Sequence, residues 1–368
     1  MSLNIKQFTN ITKICIHQNT VYDFDFSNKF AEMVNMRECD INIDKATNIA
    51  NTYRNCTNLT GSPVCGKNVT DMNYTYYGCT NLTGSPVCGD KVKSMYYTYQ
   101  NCTNLTGSPV YGPNVTGMDY TYNGCTNLTG KPVCGIKVLG LSGTYQNCRN
   151  LTGSPVCGYN VSSLTNTYQN CRNLTGSPVC GMFVSSLSNT YRNCTNLTGK
   201  PVCGNNVTSM TNAYRDCTNL TGKAACGNNV TNMANAYYNC RNLTGSPVCG
   251  KNVTSMYQTY YNCINLTGSP VCGNKVTNLR NAYYNCKNIG GNIYIRNNSI
   301  TSVAGCFYNR SNKTRLNIYI YNNSTVKNKL LNTSASGSVI GAAITWTNVA
   351  ASGYSYNTKY NIYVRYTL

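Results

Sequence analysis

The chain has 368 residues, with 30 Lys+Arg against 10 Asp+Glu, a formal net charge of +20, 23 cysteines and one histidine. One histidine and few carboxylates leave little for acid–base catalysis, and no run of 18 apolar residues is present to cross a membrane as a helix. The basic residues are scattered, which excludes a disordered basic tail; their excess either attracts polyanions or keeps a surface soluble.

Residues 1–29 differ in composition from the rest of the chain and are expected to form an N-terminal cap or attachment segment. Lys6, Lys13 and His17 interrupt the first 19 residues, which hold no apolar run. No signal peptide is expected there, so the chain is expected to fold in the cytoplasm. Six acids, Asp23, Asp25, Glu32, Glu38, Asp40 and Asp44, lie before the regular array. They offer the one route to an enzyme, since Asp71, Asp90, Asp119 and Asp216 fall in different columns of the repeat and form no carboxylate pair of the kind glycosidases use.

From near Asn51 a 23-residue frame recurs, T-Y-x-N-C-x-N-L-T-G-S-P-V-C-G-x-N-V-T-x-M. Cys56, Cys79, Cys102, Cys125, Cys148, Cys171, Cys194, Cys217, Cys240, Cys263 and Cys286 follow one another at intervals of 23. A fixed period of this size marks a solenoid, in which each unit buries its apolar face against its neighbours. Stepping back 23 from Tyr53, Cys56, Leu59, Val69 and Met72 gives Phe30, Met33, Met36, Ala46 and Ile49. The array is therefore expected over residues 30–315, regular over 51–288, with degenerate first and last coils.

Within a unit, Val69, Met72, Tyr76 and Cys79 form one apolar stripe and predict a short helical or 3-10 segment. Residues 83–88 are the expected strand, and Gly89 the turn after it. Pro86 and its equivalents lack a ladder donor, so the strands should be short and imperfect.

A second cysteine column, Cys65, Cys88, Cys134, Cys157, Cys180, Cys203, Cys226, Cys249 and Cys272, is broken once by Tyr111. Coils repeat every ~4.8 Å, and the parallel Cβ vectors of a column suit disulfide torsion poorly. Both columns are expected as reduced packing ladders, with cross-links the alternative. No C-x-x-C pair occurs, so no metal site is expected, and no cofactor is implied. The recurring N-L-T and N-V-T triplets are read structurally rather than as glycan acceptors: Asn58 and its column should satisfy turn backbone groups.

Tyr74, Tyr97 and Tyr120 share one variable column. Tyr238, Tyr261 and Tyr284 share another, whose earlier members include Gln100, Gln146, Gln169, Arg192 and Arg215. Flat faces beside amides and guanidinium groups suit sugar rings or nucleobases; alternatively these tyrosines seal the grooves between coils or touch a sister subunit.

After Cys286 the pattern decays through Ile289, Ile293, Ile295, Val303 and Phe307. Residues 316–368 then alternate as half-buried strands at 317–321, 344–347 and 361–366, with a loop at 334–338. A small β-rich C-terminal cap or oligomerising segment is expected.

The order aromatic, cysteine, leucine, short strand, carried by Tyr76, Cys79, Leu82, Val87, Val92 and Met95, resembles the BspA-like leucine-rich repeat over roughly residues 30–316. The frame departs from it where the central apolar strand position is Ser85, Lys131, Lys200 or Lys223. The resemblance implies a repeat solenoid with a short strand and a short helical or 3-10 segment per coil, and a role in adhesion. Asn/Tyr/Lys-rich units followed by a tail of the type at 305–320 are similar to virion appendage proteins of low-GC gut phages. That likeness implies a non-enzymatic tail or fibre component, located in the virion and assembled in the host cytoplasm. It would present a repetitive surface to host-cell polymers. The implied partners are other virion proteins of tail or capsid, further copies of the chain as a homo-oligomer, and a host-surface glycan, without membrane insertion. A non-viral adhesion or interaction scaffold is the alternative. A nucleic-acid binder is the third reading and rests on charge alone.

Overall fold

The computed structural model describes residues 10–16, 25–297, 299–321, 324–334, 336–340, 345–349 and 354–367. Two compact units divide the chain, residues 1–184 and 185–368.

In the first unit each 23-residue period is one coil built of linked turns. Two kinds of backbone hydrogen bond alternate along it. Thr75 N–H donates to Met72 O inside the coil at 3.1 Å, whereas Tyr74 N–H and Tyr76 N–H reach forward to Tyr96 O and Thr98 O of the next coil, both at 2.9 Å. The chain can alternate because two residues of this segment in every coil are left-handed: Asn51 and Asn55 have φ of 56° and 55°, and Tyr74 and Gly78 have 55° and 73°. Asparagine and glycine tolerate this region best. The expected helical segment is thus broken at each left-handed position.

The expected strand at 83–88 is likewise absent. Pro86 has no N–H, and both backbone groups of Val87 are taken by the hydroxyl of Tyr99. The parallel bridges sit instead in the column Asp25, Asn48, Asp71, Ser94, Gly117, Gly140, Ser163.

The core is a set of ladders. Tyr53, Tyr76, Tyr99, Tyr122, Tyr145 and Tyr168 are buried and stack at 5.1 to 5.8 Å with nearly parallel rings. Beside them the hydroxyl of Thr75 lies 2.7 Å from Met72 O and 3.0 Å from Ile49 O. Phe30 begins the aromatic ladder, 5.7 Å from Tyr53. Pairing extends further back, because β1 (Lys13–Ile16) lies parallel to β2 (Glu38–Ile41) with Lys13 opposite Glu38. The stack therefore crosses the boundary drawn after residue 29.

The second unit repeats these coils from the Ser186–Ser209 bridge to the Asn278–Ser302 bridge. The last step is 24 residues, and Phe307 closes the tyrosine ladder 5.7 Å from Tyr283. The coils gain a short regular pair, β3 (Thr267–Gly268) parallel to β4 (Asn288–Ile289). A mixed sheet comes next, built from β5 (Gly291–Ile295), β6 (Leu316–Tyr321), β7 (Thr347–Val349), β8 (Tyr354–Asn357) and β9 (Ile362–Thr367) in the order β5-β6-β9-β8-β7, with α1 (Ser324–Leu330) between β6 and β7. Its first strand comes from within the residues assigned to the array. Of the strand expected at 344–347, Ile344 lies outside the described residues. Where a further coil would offer carbonyls, Ser338 O accepts from Gly305 N–H at 2.8 Å and Val339 O from Phe307 N–H at 2.7 Å.

Candidate functional site

The first tyrosine column occupies a left-handed backbone position. Tyr74, Tyr97 and Tyr120 have φ of 55°, 57° and 56°, where Asn51, Asn166, Asn189 and Asn212 stand in other coils. A side chain larger than asparagine costs on the order of 1–2 kcal/mol there. The three rings stack at 4.7 and 4.9 Å with interplanar angles of 5° and 6°. Gly143 ends the stack: a Cβ on it would run into the ring of Tyr120.

Tyr77 leans on Tyr74 at 5.9 Å, and the Arg54 guanidinium lies 5.9 Å from the centre of the Tyr77 ring. Asn51, Arg54, Tyr74, Tyr77, Tyr97 and Gln100 line a depression of about 410 Å³. Gln100 Oε1 is buried without a hydrogen-bond partner, and Glu32 sits 3.9 Å from Arg54 Nε. The depression combines aromatic walls with a cation.

The second column forms a longer pile. Arg215 covers Tyr238 at 4.5 Å, and Tyr238, Tyr261, Tyr284 and Tyr308 succeed one another at 4.6, 4.3 and 4.4 Å. Burial and the neighbouring phenols push the Tyr284 hydroxyl up to about 12. Asparagine amides run alongside, Asn262 donating to Asn239 Oδ1 and Asn309 to Asn285 Oδ1, both at 2.7 Å. Arg192 lies in the same column, its Nε buried without a partner. Gln146 accepts from Asn123 at 2.8 Å and donates to Gln169 at 3.1 Å.

These stacks change the expected mode of contact. Rings inside a pile spend their flat faces on one another and present edges and hydroxyls outward. Only a ring at the end of a pile has a face to offer, as Tyr74 has beside the depression. Arg54, Tyr77 and Tyr308 were missed, although Arg54 and Tyr77 lie 46 and 23 residues before Gln100 in its own column. Tyr308 is one residue out of phase because of the 24-residue step.

The eleven cysteines from Cys56 to Cys286 are buried. Their thiols donate to carbonyls of the preceding coil, Cys56 to Phe30 O at 3.0 Å, Cys171 to Tyr145 O and Cys286 to Tyr260 O at 2.9 Å. Burial holds the Cys102, Cys171 and Cys240 thiols well above the ordinary range. In the half-buried second column it pushes Cys88 up to about 12 and Cys134 to about 11. Such thiols are protonated at neutral pH and are poor nucleophiles.

Three carboxylates are tied to their neighbours. Glu38 pairs with Lys13 at 2.6 Å, Asp71 accepts from Asn73 N–H at 2.8 Å, and Asp119 accepts from Ser142 N–H at 2.6 Å while burial raises its carboxyl. Asn58 accepts from Asn81 Nδ2 at 3.3 Å, whereas Asn288 in the same column donates to the backbone carbonyl of Ile264 at 3.0 Å.

A sequence model of the Kazal-type serine protease inhibitor domain matches residues 189–213. That stretch spans little more than one coil, contains only Cys194 and Cys203, and shows no family for the chain. No curated protein matches the sequence. Among solved structures, a leucine-rich repeat protein from Bacteroides ovatus ATCC 8483 aligns with a TM-score of 0.53 and 13% identity, over 91% of this chain and 92% of that one. A leucine rich cell surface protein from Faecalibacterium prausnitzii A2-165 aligns with a TM-score of 0.43 and 18% identity, over 90% and 91%. The Bacteroides likeness shows the fold: a leucine-rich-repeat solenoid.

Proposed function

We propose that this protein is a non-enzymatic adhesive scaffold, an appendage component of a phage virion whose tyrosine columns hold a host-surface polymer. The observation that carries the reading is the run Tyr74, Tyr97, Tyr120. Asparagine makes the same turn in Asn166, Asn189 and Asn212, so the fold does not require tyrosine there. A backbone cost retained on the surface, where the interior gains nothing by it, favours a binding role.

Repetition supports the same reading, because hydroxyl edges recurring from coil to coil let weak subsites add as avidity. The net charge of +20 favours anionic glycans by steering. Local use of the carboxylates supports a non-catalytic role. The virion assignment rests on the Asn/Tyr/Lys-rich repeats and their tail; its partners would be tail or capsid proteins and further copies of the chain in a symmetric multimer.

The test substitutes residues the array already uses. Tyr74→Asn, Tyr97→Asn and Tyr120→Asn form one variant, and Tyr238→Gln, Tyr261→Gln and Tyr284→Gln another. Adsorption to host cells and glycan-array signal should drop for at least one variant while its thermal unfolding comes no earlier than the parent's. Full adsorption by both would leave the array a spacer. Particles lacking the chain in immunogold images would remove the virion assignment.

A further inference from the structure

The sheet of the second unit has an outer face that the adhesive tyrosine columns do not use. Ile293, Ile295, Ile318, Ile320, Ile362 and Val364 are buried, so alternation turns Tyr294, Tyr319, Tyr363 and Arg365 the other way. Register sets Tyr294 opposite Tyr319, Tyr319 opposite Arg365, and Tyr356 opposite Tyr363. Tyr294 and Tyr319 stack at 4.9 Å, and Tyr356 and Tyr363 at 5.8 Å. The Arg315 guanidinium lies 3.9 Å above the Tyr363 ring and that of Arg296 5.2 Å from the Tyr321 ring. Arg296, Arg315 and Arg365 are exposed. Asp216 is the last acidic residue of the sequence, and fourteen Lys and Arg come after it.

We propose that this face binds an acidic polysaccharide, its carboxylates held by Arg296, Arg315 and Arg365 and its hydroxyls by the outward phenols and amides. Arg315 Nε donates to Asn317 Oδ1 at 2.9 Å, and the terminal N–H groups of an exposed guanidinium can still fork a carboxylate. Asn317 Nδ2 donates to Asn292 Oδ1 at 2.8 Å, placing amides on the same face. The rings are turned onto one another and onto guanidinium groups, which leaves nucleobases few flat faces to stack on and favours a glycan over nucleic acid. The site is independent of the tyrosine columns of the coils.

The full chain is titrated with polygalacturonate at low and high salt, with neutral dextran and a single-stranded oligothymidylate as comparators. Polygalacturonate should bind, weaken steeply with salt, and outcompete both comparators. The combined Arg296→Gln, Arg315→Gln, Arg365→Gln variant should lose about tenfold or more in affinity, whereas Lys67→Gln, Lys91→Gln, Lys137→Gln, which removes as many exposed cations from the coils of the first unit, should lose far less. Lysine at the three arginine positions should keep the salt dependence but recover only part of the affinity. Undiminished binding by the folded glutamine variant, or tighter binding of the oligonucleotide, overturns the proposal. Should the glutamine variant fail to fold, the lysine variant decides, and full affinity there overturns it equally.

Discussion

The hydroxyl of Tyr76 lies 2.8 Å from the amide nitrogen of Val64 and 2.9 Å from its carbonyl oxygen, so one phenol closes both backbone groups of the residue after Pro63. The same closure joins Tyr145 to Val133 at 3.0 and 2.6 Å. It explains how a proline-bearing segment without strand pairing is kept against the core. Tyr145→Phe keeps the ring stack and strands the two Val133 groups. It should cost about 1–3 kcal/mol, read as an earlier transition in urea, and an unchanged transition would show that water replaces the hydroxyl.

Cys171 illustrates why a thiol suits its position. Its Sγ donates to Tyr145 O at 2.9 Å, so a serine hydroxyl placed there would meet the same acceptor. Cys171→Ser should cost no more than about 1 kcal/mol, since an acceptor waits for its hydroxyl. Cys171→Val adds a methyl to a filled site and should cost about 1–3 kcal/mol. Urea titration of both variants orders them, and the reverse order would remove the hydrogen-bond account.

The buried thiols and phenols make the fold sensitive to alkali. Burial raises the thiols of both cysteine columns and the Tyr99 and Tyr237 hydroxyls above their unfolded values, so the native state holds protons that the unfolded chain releases. The stabilisation is complete below the unfolded cysteine value of about 8.5 and is lost as pH climbs towards the folded values. Circular dichroism should be flat from neutrality to about pH 8.5 and collapse between about pH 9 and 12. Phenolate absorbance of the core tyrosines should appear with that collapse; gradual appearance on a folded protein would contradict their burial.

Whole periods should be removable. Deleting residues 103–125 takes out one 23-residue step and rejoins identical neighbours, so the coils before and after should pair as before. Deleting 22 residues places Tyr, Cys and Leu one position out of their columns. The first variant should unfold cooperatively near the parent, and the second should lose near-UV ellipticity. Equal behaviour would mean that the ladders do not set the register.

The sequence carried the coils because Tyr, Cys, Leu, Val and Met recur at one spacing, and Phe30 could be placed by counting back. It did not carry the local backbone. Val69, Met72, Tyr76 and Cys79 have helical spacing, but Asn51, Asn55 and their equivalents turn the chain left-handed between them, and asparagine alone does not announce that conformation. The hydroxyl of Tyr76 was likewise invisible, because its target at Val64 lies on the segment that looked like a strand. Of the candidate residues, the two tyrosine columns were legible from the period. Their self-stacking was not, since ring orientation depends on that unusual backbone and on Gly143 leaving room for Tyr120.

The carbonyls of Ser338 and Val339 have a further consequence. They occupy the N–H groups of Gly305 and Phe307 that would otherwise address another coil. A chain cut before Ser338 would end in an open template, and unpaired backbone edges recruit whatever complementary edge is nearest. The two carbonyls thus act as a stop: with them the ladder closes within one molecule, and a chain lacking them should self-associate through the freed N–H groups.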